Sequence, residues 1–139
     1  MTIPPVVTGS KQAAPLVVPS ELVVRTQSRI LEIAFDETVF TLPFEFLRVY
    51  SPSAEVRGHG AGQETLQTGM RNIGIDLLDQ VGNYAVQPRF SDGHATGIFS
   101  WDYLYWLGEN QPRLWEEYLQ RLEVAGFTRE SGRDIPLSR

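Results

Sequence analysis

The chain contains no cysteine. Disulfides, thiol nucleophiles and any zinc or iron–sulfur site ligated by cysteines of this chain alone are therefore excluded. Lysine is almost missing as well: Lys11 stands by itself, the arginines are scattered, and the formal net charge is -5. No basic patch of the kind that neutralises phosphates is present, so nucleic acid is not expected as a partner. No apolar run approaches the roughly 18 residues that span a bilayer. The first residues lack a basic segment leading into an apolar one, so no secretory leader is expected. Histidine occurs twice, as His59 and His94. A soluble, cytoplasmic protein is the expectation. At 139 residues one domain with a real hydrophobic core is the natural reading.

The residues that are present sort into three segments. Residues 1–19 hold Pro4, Pro5, Pro15 and Pro19 among small residues and read as a flexible arm. Residues 20–126 carry the alternating and helical patterns of one domain. Residues 127–139 are polar and read as a flexible tail. Within the domain, Leu22–Arg25 reads as a short strand. Leu31, Ile33 and Phe35 alternate with Glu32 and Ala34, Asp36-Glu37 turns the chain, and Val39–Leu42 returns as a hairpin partner. Pro43 ends that strand and opens a short helix to about Val49. Gly58, Gly60, Gly62 and Gly69 make residues 57–72 a long glycine-rich loop, whose spacing matches neither the Walker loop nor the dinucleotide fingerprint. Ile73, Ile75 and Leu77 predict a third strand on one face, Tyr84, Val86 and Phe90 a fourth, and residues 97–99 a short fifth. Ser100 caps a helix over 101–107 that Gly108 stops. Asn110 and Pro112 then start a second helix whose Leu114, Trp115, Tyr118, Leu119 and Leu122 form one apolar stripe, ended by Gly126. The expected fold is α+β: a small antiparallel sheet of about five strands, a short helix between hairpins, and two C-terminal helices.

The chemistry concentrates at Phe90–Trp106. Asp92-Gly93 is a strong turn dipeptide, and His94 comes directly after it, so a titratable tip is held between a strand and an aromatic helix. No complete catalytic set surrounds it. Ser91 and Ser100 flank His94 without a Gly-x-Ser-x-Gly elbow. A metal triad would need both histidines and a carboxylate, with Asp92 as the candidate and the glycine-rich loop folded over the turn. Neither the Asp76 and Asp79 pair nor the Glu116 and Glu117 pair stands out from solvent-facing charge. The aromatics Tyr103, Tyr105, Trp106, Trp115 and Tyr118 read as helix-to-sheet packing, with a ligand groove as the sharper alternative.

Three pieces of the chain carry a resemblance. The run Leu42-Pro-Phe-Glu-Phe-Leu-Arg-Val-Tyr-Ser-Pro-Ser53, the pair Val81-Gly82 with Tyr84, and Ser91-Asp-Gly-His-Ala-Thr-Gly-Ile-Phe-Ser-Trp-Asp-Tyr-Leu104 together resemble the domain at the N-terminus of γ-butyrobetaine hydroxylase. They are also similar to short standalone bacterial proteins of unknown function, and to a domain that lies after the P-loop ATPase in plastid iron–sulfur carrier proteins. The resemblance spans about residues 20–108. It implies, for the eukaryotic hydroxylase, a structural zinc held by three cysteines and a histidine. The matching positions here are Ser51, Ser53, Val56 and His94, so three of the four ligands are replaced and a serine is a poor zinc ligand. The oxygenase domain, with its His-x-Asp…His iron triad, has no counterpart in this sequence.

These readings name Arg48, His59, Asp92, His94 and Trp101 as candidate binding residues, with His94 as the candidate metal ligand and no catalytic residue. The function they favour is a non-enzymatic binding or adaptor module serving an iron–sulfur or iron-dependent system through another protein. The alternatives are an iron- or zinc-binding protein using His94 with Asp92 and His59, and a homo-oligomeric scaffold that associates through its helix or a sheet edge. No cofactor is assigned beyond that possible iron or zinc, and the oligomeric state is open.

Overall fold

The computed structural model describes residues 17–58 and 65–130. Strands β1 (Glu21–Arg25), β2 (Ile30–Phe35) and β3 (Thr38–Pro43) form an antiparallel meander. On β2, Leu31, Ile33 and Phe35 are buried and the residues between them are not, the period-two pattern of a sheet with one wet face. Asp36 turns β2 into β3 at φ 59°, a left-handed conformation that a short polar side chain tolerates. Its amide donates to Ser20 Oγ.

Pro43 has no N–H to continue the ladder, and α1 (Phe44–Val49) begins directly after it. All six residues of α1 are buried, including Glu45 and Arg48. A short helix α2 (Ala54–Arg57) comes next. Strands β4 (Ile75–Val81), β5 (Ala85–Phe90) and the two-residue β6 (Phe99–Ser100) form a second antiparallel sheet. The expectation of one sheet of about five strands is thereby corrected to two sheets of three. The physical reason is the break at Pro43 and the helical crossing behind it, which leave β3 and β4 unpaired with each other. A bulge between Ile75 and Leu77 corrects a second detail. The extra residue, Asp76, reverses the facing of the rest of the strand, so Ile75 is buried and Leu77 is exposed.

The two expected C-terminal helices are a single one, α3 (Trp101–Ala125). Ser100 does cap it, accepting from the Tyr103 amide at 3.1 Å. Gly108 does not stop it. A Cβ on Gly108 would stand 2.3 Å from Cγ of Phe40, so the glycine is there to let β3 approach the helix. Pro112 lies inside the helix, and its missing amide would have bonded the Gly108 carbonyl. Asn110 is not a cap but donates from Nδ2 to the Trp106 carbonyl, 2.8 Å away. Gly126 ends the helix at φ 80°, and the Phe127 amide reaches back to the Leu122 carbonyl. Trp101, Tyr103, Leu104, Leu107, Leu114, Tyr118 and Leu122 of α3 join Leu31, Ile33, Leu42, Phe46, Ile75, Phe90 and Phe99 in one core to which both sheets contribute.

Residues 127–130 are docked rather than free. Gly69 and Arg71 donate main-chain bonds to Thr128 and Arg129. Arg129 makes two hydrogen bonds to Glu45, at 2.8 and 2.7 Å, and lies over the Trp115 ring. Residues 1–16 of the expected arm and 131–139 of the expected tail lie outside the described residues.

Candidate functional site

The site forms where the end of α1, the segment 51–57, the described end of the glycine-rich loop and the turn after β5 converge. Helix α1 directs Arg48 inward, with 9% of its side chain exposed. Its Nε donates to Asp92 Oδ2 at 3.1 Å, its Nη2 lies 3.0 Å from the same oxygen, and its Nη1 donates to Gln67 Oε1 at 2.9 Å. Gln67 is itself held in place, since its carbonyl accepts from the Tyr118 hydroxyl at 2.7 Å. The guanidinium is thus buried but matched, as a charge inside a protein has to be.

Asp92 sits in the expected tight turn. Gly93 takes φ 93° and donates to the Phe90 carbonyl, while Phe90 donates to the His94 carbonyl. The other Asp92 oxygen, Oδ1, accepts from the His94 main-chain amide at 3.1 Å. His94 then points its Nε2 between two hydroxyls, 2.9 Å from Ser51 Oγ and 3.2 Å from Ser53 Oγ. Ser51 is only 1% exposed, and a Cβ on Gly97 would stand 2.2 Å from its hydroxyl. Glu55 accepts from the Thr96 hydroxyl at 2.6 Å and closes the outer side.

Burial favours the neutral form of the His94 imidazole, and the Arg48 charge adds to this. Asp92 and Glu55 pull the other way, and the net effect is a pKa below the ordinary 6.5. Burial alone would raise the Asp92 carboxyl. The Arg48 hydrogen bond and the His94 amide outweigh it, and Asp92 is held below its ordinary value. At neutral pH the site is a neutral imidazole beside an intact carboxylate–guanidinium pair.

Ser51 and His94 are at nucleophile-to-base distance, yet the arrangement is not a catalytic triad. Asp92 binds the main chain of His94, not the ring, so it does not fix the tautomer, and its charge favours the imidazolium only across space and is outweighed by burial and Arg48. The zinc implied by the resemblance fares similarly. Ser51, Ser53 and His94 do converge, and Val56 is buried on α2, its amide donating to the Ser53 carbonyl. Two hydroxyls, a valine and one imidazole are not a zinc donor set, and among the described residues no group of three His, Cys, Asp or Glu is placed to hold a metal. The residues do not fit the metal.

Of the residues expected from sequence, Arg48, Asp92 and His94 are brought together. Trp101 is not part of the site: it is buried at the start of α3, and its Nε1 donates to the Asn83 carbonyl at 2.8 Å. His59 lies outside the described residues. Sequence reasoning missed Gln67, which has no motif and sits in a glycine-rich stretch. It also missed the pairing of buried Glu45 with half-buried Arg129, 84 residues away. Glu45 did carry a signal, as a charged residue between Phe44 and Phe46.

The fold agrees with what comparison with known proteins finds. Residues 22–105 match the family described as gamma-butyrobetaine hydroxylase-like, N-terminal. The chain belongs to this family. Two proteins of known solution structure, both determined by NMR, have the same architecture as this gamma-butyrobetaine hydroxylase-like domain. One is 40% identical, with a TM-score of 0.74 over 90% of this chain and 100% of that one. The other is 45% identical, with a TM-score of 0.72 over 94% and 98%. A crystal structure from Acidithiobacillus ferrooxidans, described as a protein of unknown function in the DUF971 family, is 39% identical. Its TM-score is 0.50, over 62% of this chain and 86% of that one. No curated protein matches. As a gamma-butyrobetaine hydroxylase-like domain, the chain has the polar cluster on the family's matched segment. No helix among its described residues is long and apolar enough to cross a membrane.

Proposed function

We propose that this chain is a non-enzymatic binding module that works through another protein, and that its partner belongs to an iron-dependent or iron–sulfur system. The observation that carries this is the closure of the Ser51–His94 pair. Ser51 is 1% exposed and wedged against Gly97, so a substrate has no approach to the hydroxyl. The remaining polar groups of the site bind one another, which is how a rigid recognition surface is built rather than a reaction centre. The family is described as the N-terminal part of a gamma-butyrobetaine hydroxylase-like protein, and the resemblance to that hydroxylase and to plastid iron–sulfur carriers supports a role beside iron chemistry by association alone. Neither histidine supports an iron triad in this chain, since His59 is followed by Gly60-Ala61 and His94 by Ala95-Thr96.

The test is affinity capture of the tagged chain from its own cells under anaerobic conditions, then reconstitution with each captured protein after purification. A purified iron or iron–sulfur protein that rebinds stoichiometrically supports the reading. Multiple-turnover chemistry by the chain alone overturns it. So does one tightly held iron or zinc per chain that disappears in His94→Ala, which would make His94, with Asp92 and His59, a metal centre.

A further inference from the structure

The two sheets treat their open edges differently. β4 carries a bulge and two aspartates, Asp76 and Asp79, which discourage another strand from pairing there. β3 lies against α1 and α3 and ends in Pro43. β6 is two residues long and runs straight into α3. β1 has neither bulge nor proline, and its two charges are of opposite sign. It is a regular five-residue strand without proline, lysine or bulge, and among the described residues no strand pairs with its outer side.

The β1 sequence, Glu21-Leu22-Val23-Val24-Arg25, is a charged residue at each end of an apolar centre, with opposite signs at the two ends. Laid antiparallel on a second copy about Val23, it sets Glu21 opposite Arg25 of the other copy and Arg25 opposite Glu21, with Leu22 opposite Val24 and Val23 opposite itself. Both faces match in that register. Leu22 and Val24 point to the core side, where they already pack on the buried cluster, so the pairing would continue an apolar layer. Glu21, Val23 and Arg25 share the outer face with Glu32, Ala34 and Val39. Arg25 already reaches Glu32 at 2.7 Å on that face, and Glu21 of a second copy would complete a carboxylate–guanidinium–carboxylate row.

We infer that β1 is a self-complementary edge through which two copies of this chain join their sheets into one antiparallel six-stranded sheet about a two-fold axis. The interface is isologous, so it closes at two copies rather than growing into a fibre. A five-residue edge buries less than the roughly 1,200–2,000 Å² of a stable interface. The dimer is therefore weak and forms with rising concentration. This inference is independent of the partner-binding reading and does not use the Arg48–Asp92–His94 site.

Sedimentation velocity from about 10 µM to 1 mM tests it, since a small interface falls in this range. The wild-type chain is expected to pass from monomer to dimer and no further. E21R leaves the Arg25–Glu32 pair intact and sets two arginines opposite each other at each end, and should weaken association by at least about tenfold. R25E should do the same with opposing glutamates. An equimolar mixture of E21R and R25E restores both charge pairs and should form a one-to-one dimer that neither variant forms alone. A wild-type chain that stays monomeric at about 1 mM overturns the inference, as does a dimer indifferent to E21R. Circular dichroism shows whether R25E folds; if it does not, the wild-type and E21R series decides the question by itself.

Discussion

Asp92 and His94 are joined through the main chain and not through the imidazole: Asp92 Oδ1 accepts from the His94 amide at 3.1 Å, while the ring turns away to Ser51 and Ser53. The carboxylate holds the turn, and at the ring burial and the Arg48 charge outweigh the opposing pull of Asp92 and Glu55. The consequence is a dependence of stability on pH. The folded chain lowers the His94 pKa below 6.5, first through burial and then through Arg48. The unfolded chain therefore takes up the proton first. Above about pH 6.5 His94 contributes nothing to the pH slope; below it stability falls until the folded imidazole is protonated too. Asp92 adds a second loss at lower pH, because its carboxyl is held below 3.8 and its stabilisation disappears as pH falls through that folded value. The urea midpoint should decrease between pH 7 and 5, and His94→Gln should flatten that decrease. An NMR titration of the His94 ring with an apparent pKa at or above 6.5 would contradict this.

Arg48 should be the most costly residue of the site to lose. Its side chain is 9% exposed and is matched by both Asp92 and Gln67, and Arg48→Ala leaves those two partners without their donor. Breaking a buried pair costs about 3–5 kcal/mol, and Asp92, 32% exposed, places this one near the lower end. Arg48→Lys should recover little, since one ammonium cannot serve Asp92 and Gln67 in the same fork geometry. A double-mutant cycle with Asp92→Asn in urea gives the coupling directly.

At Gly108, helix propensity and packing oppose each other. Alanine inside a helix is favoured over glycine by about 1 kcal/mol. Here a Cβ would stand 2.3–2.6 Å from the Phe40 ring, and β3 or α3 has to shift. Overpacking costs about 1–3 kcal/mol, so Gly108→Ala should destabilise the protein. Phe40→Leu should be mildly destabilising alone and should remove most of the Gly108→Ala penalty in the double variant. Thermal melts of the four chains decide it.

This glycine also shows why part of the fold could be read from sequence and part could not. The β2–β3 hairpin, the Ser100 cap and the Gly126 stop are local: alternation, a capping hydroxyl and a left-handed glycine act over a few residues, and all three stand as expected. Gly108 and Pro112 look like local signals to end one helix and start another. Phe40, far away on β3, is what makes the glycine necessary, and the packing of Leu107 and Leu114 carries the helix across both. The single sheet failed for a similar reason, because the break at Pro43 reads locally as a helix start and only the tertiary packing leaves β3 and β4 unpaired with each other. The one-residue bulge at Asp76 likewise has no signature in the alternation around it. Within the site, the Asp92-Gly93-His94 turn was visible as chemistry, and Arg48 through the resemblance. Gln67 and the Glu45–Arg129 pair were not, because their partners are set by tertiary contact alone.

The Glu45–Arg129 pair makes residues 127–130 part of the fold. Glu45 is 6% exposed on its side chain and receives both Arg129 hydrogen bonds, and Arg129 also covers Trp115. Truncation after Gly126 should cost about 2–4 kcal/mol, more than a frayed terminus would, because it leaves a buried carboxylate unmatched. Glu45→Gln in the truncated chain should restore part of the loss by removing that charge. If truncation leaves the urea midpoint unchanged, the docking of this segment is not stabilising.

Ser51, Ser53 and His94 hold the positions that the resemblance gives to two zinc-binding cysteines and a histidine, with Val56 in the place of the third. The hydroxyls stand 2.9 and 3.2 Å from Nε2. Ligands around a tetrahedral zinc, with Zn–S near 2.3 Å and Zn–N near 2.0–2.1 Å, are about 3.5 Å apart. The two hydroxyls thus stand about 0.6 and 0.3 Å closer to Nε2 than zinc ligands would, and what the cluster lacks is thiolate. The triple variant S51C/S53C/V56C should bind one zinc per chain, measured by elemental analysis after desalting, and should melt higher with zinc than without it. Adding His94→Ala should lose the stoichiometry. The wild-type chain under the same treatment should retain none. If the triple variant binds zinc loosely, or keeps it without His94, then Val56 and the two serines are not arranged around a common point, and the correspondence to the family's metal site fails at this chain.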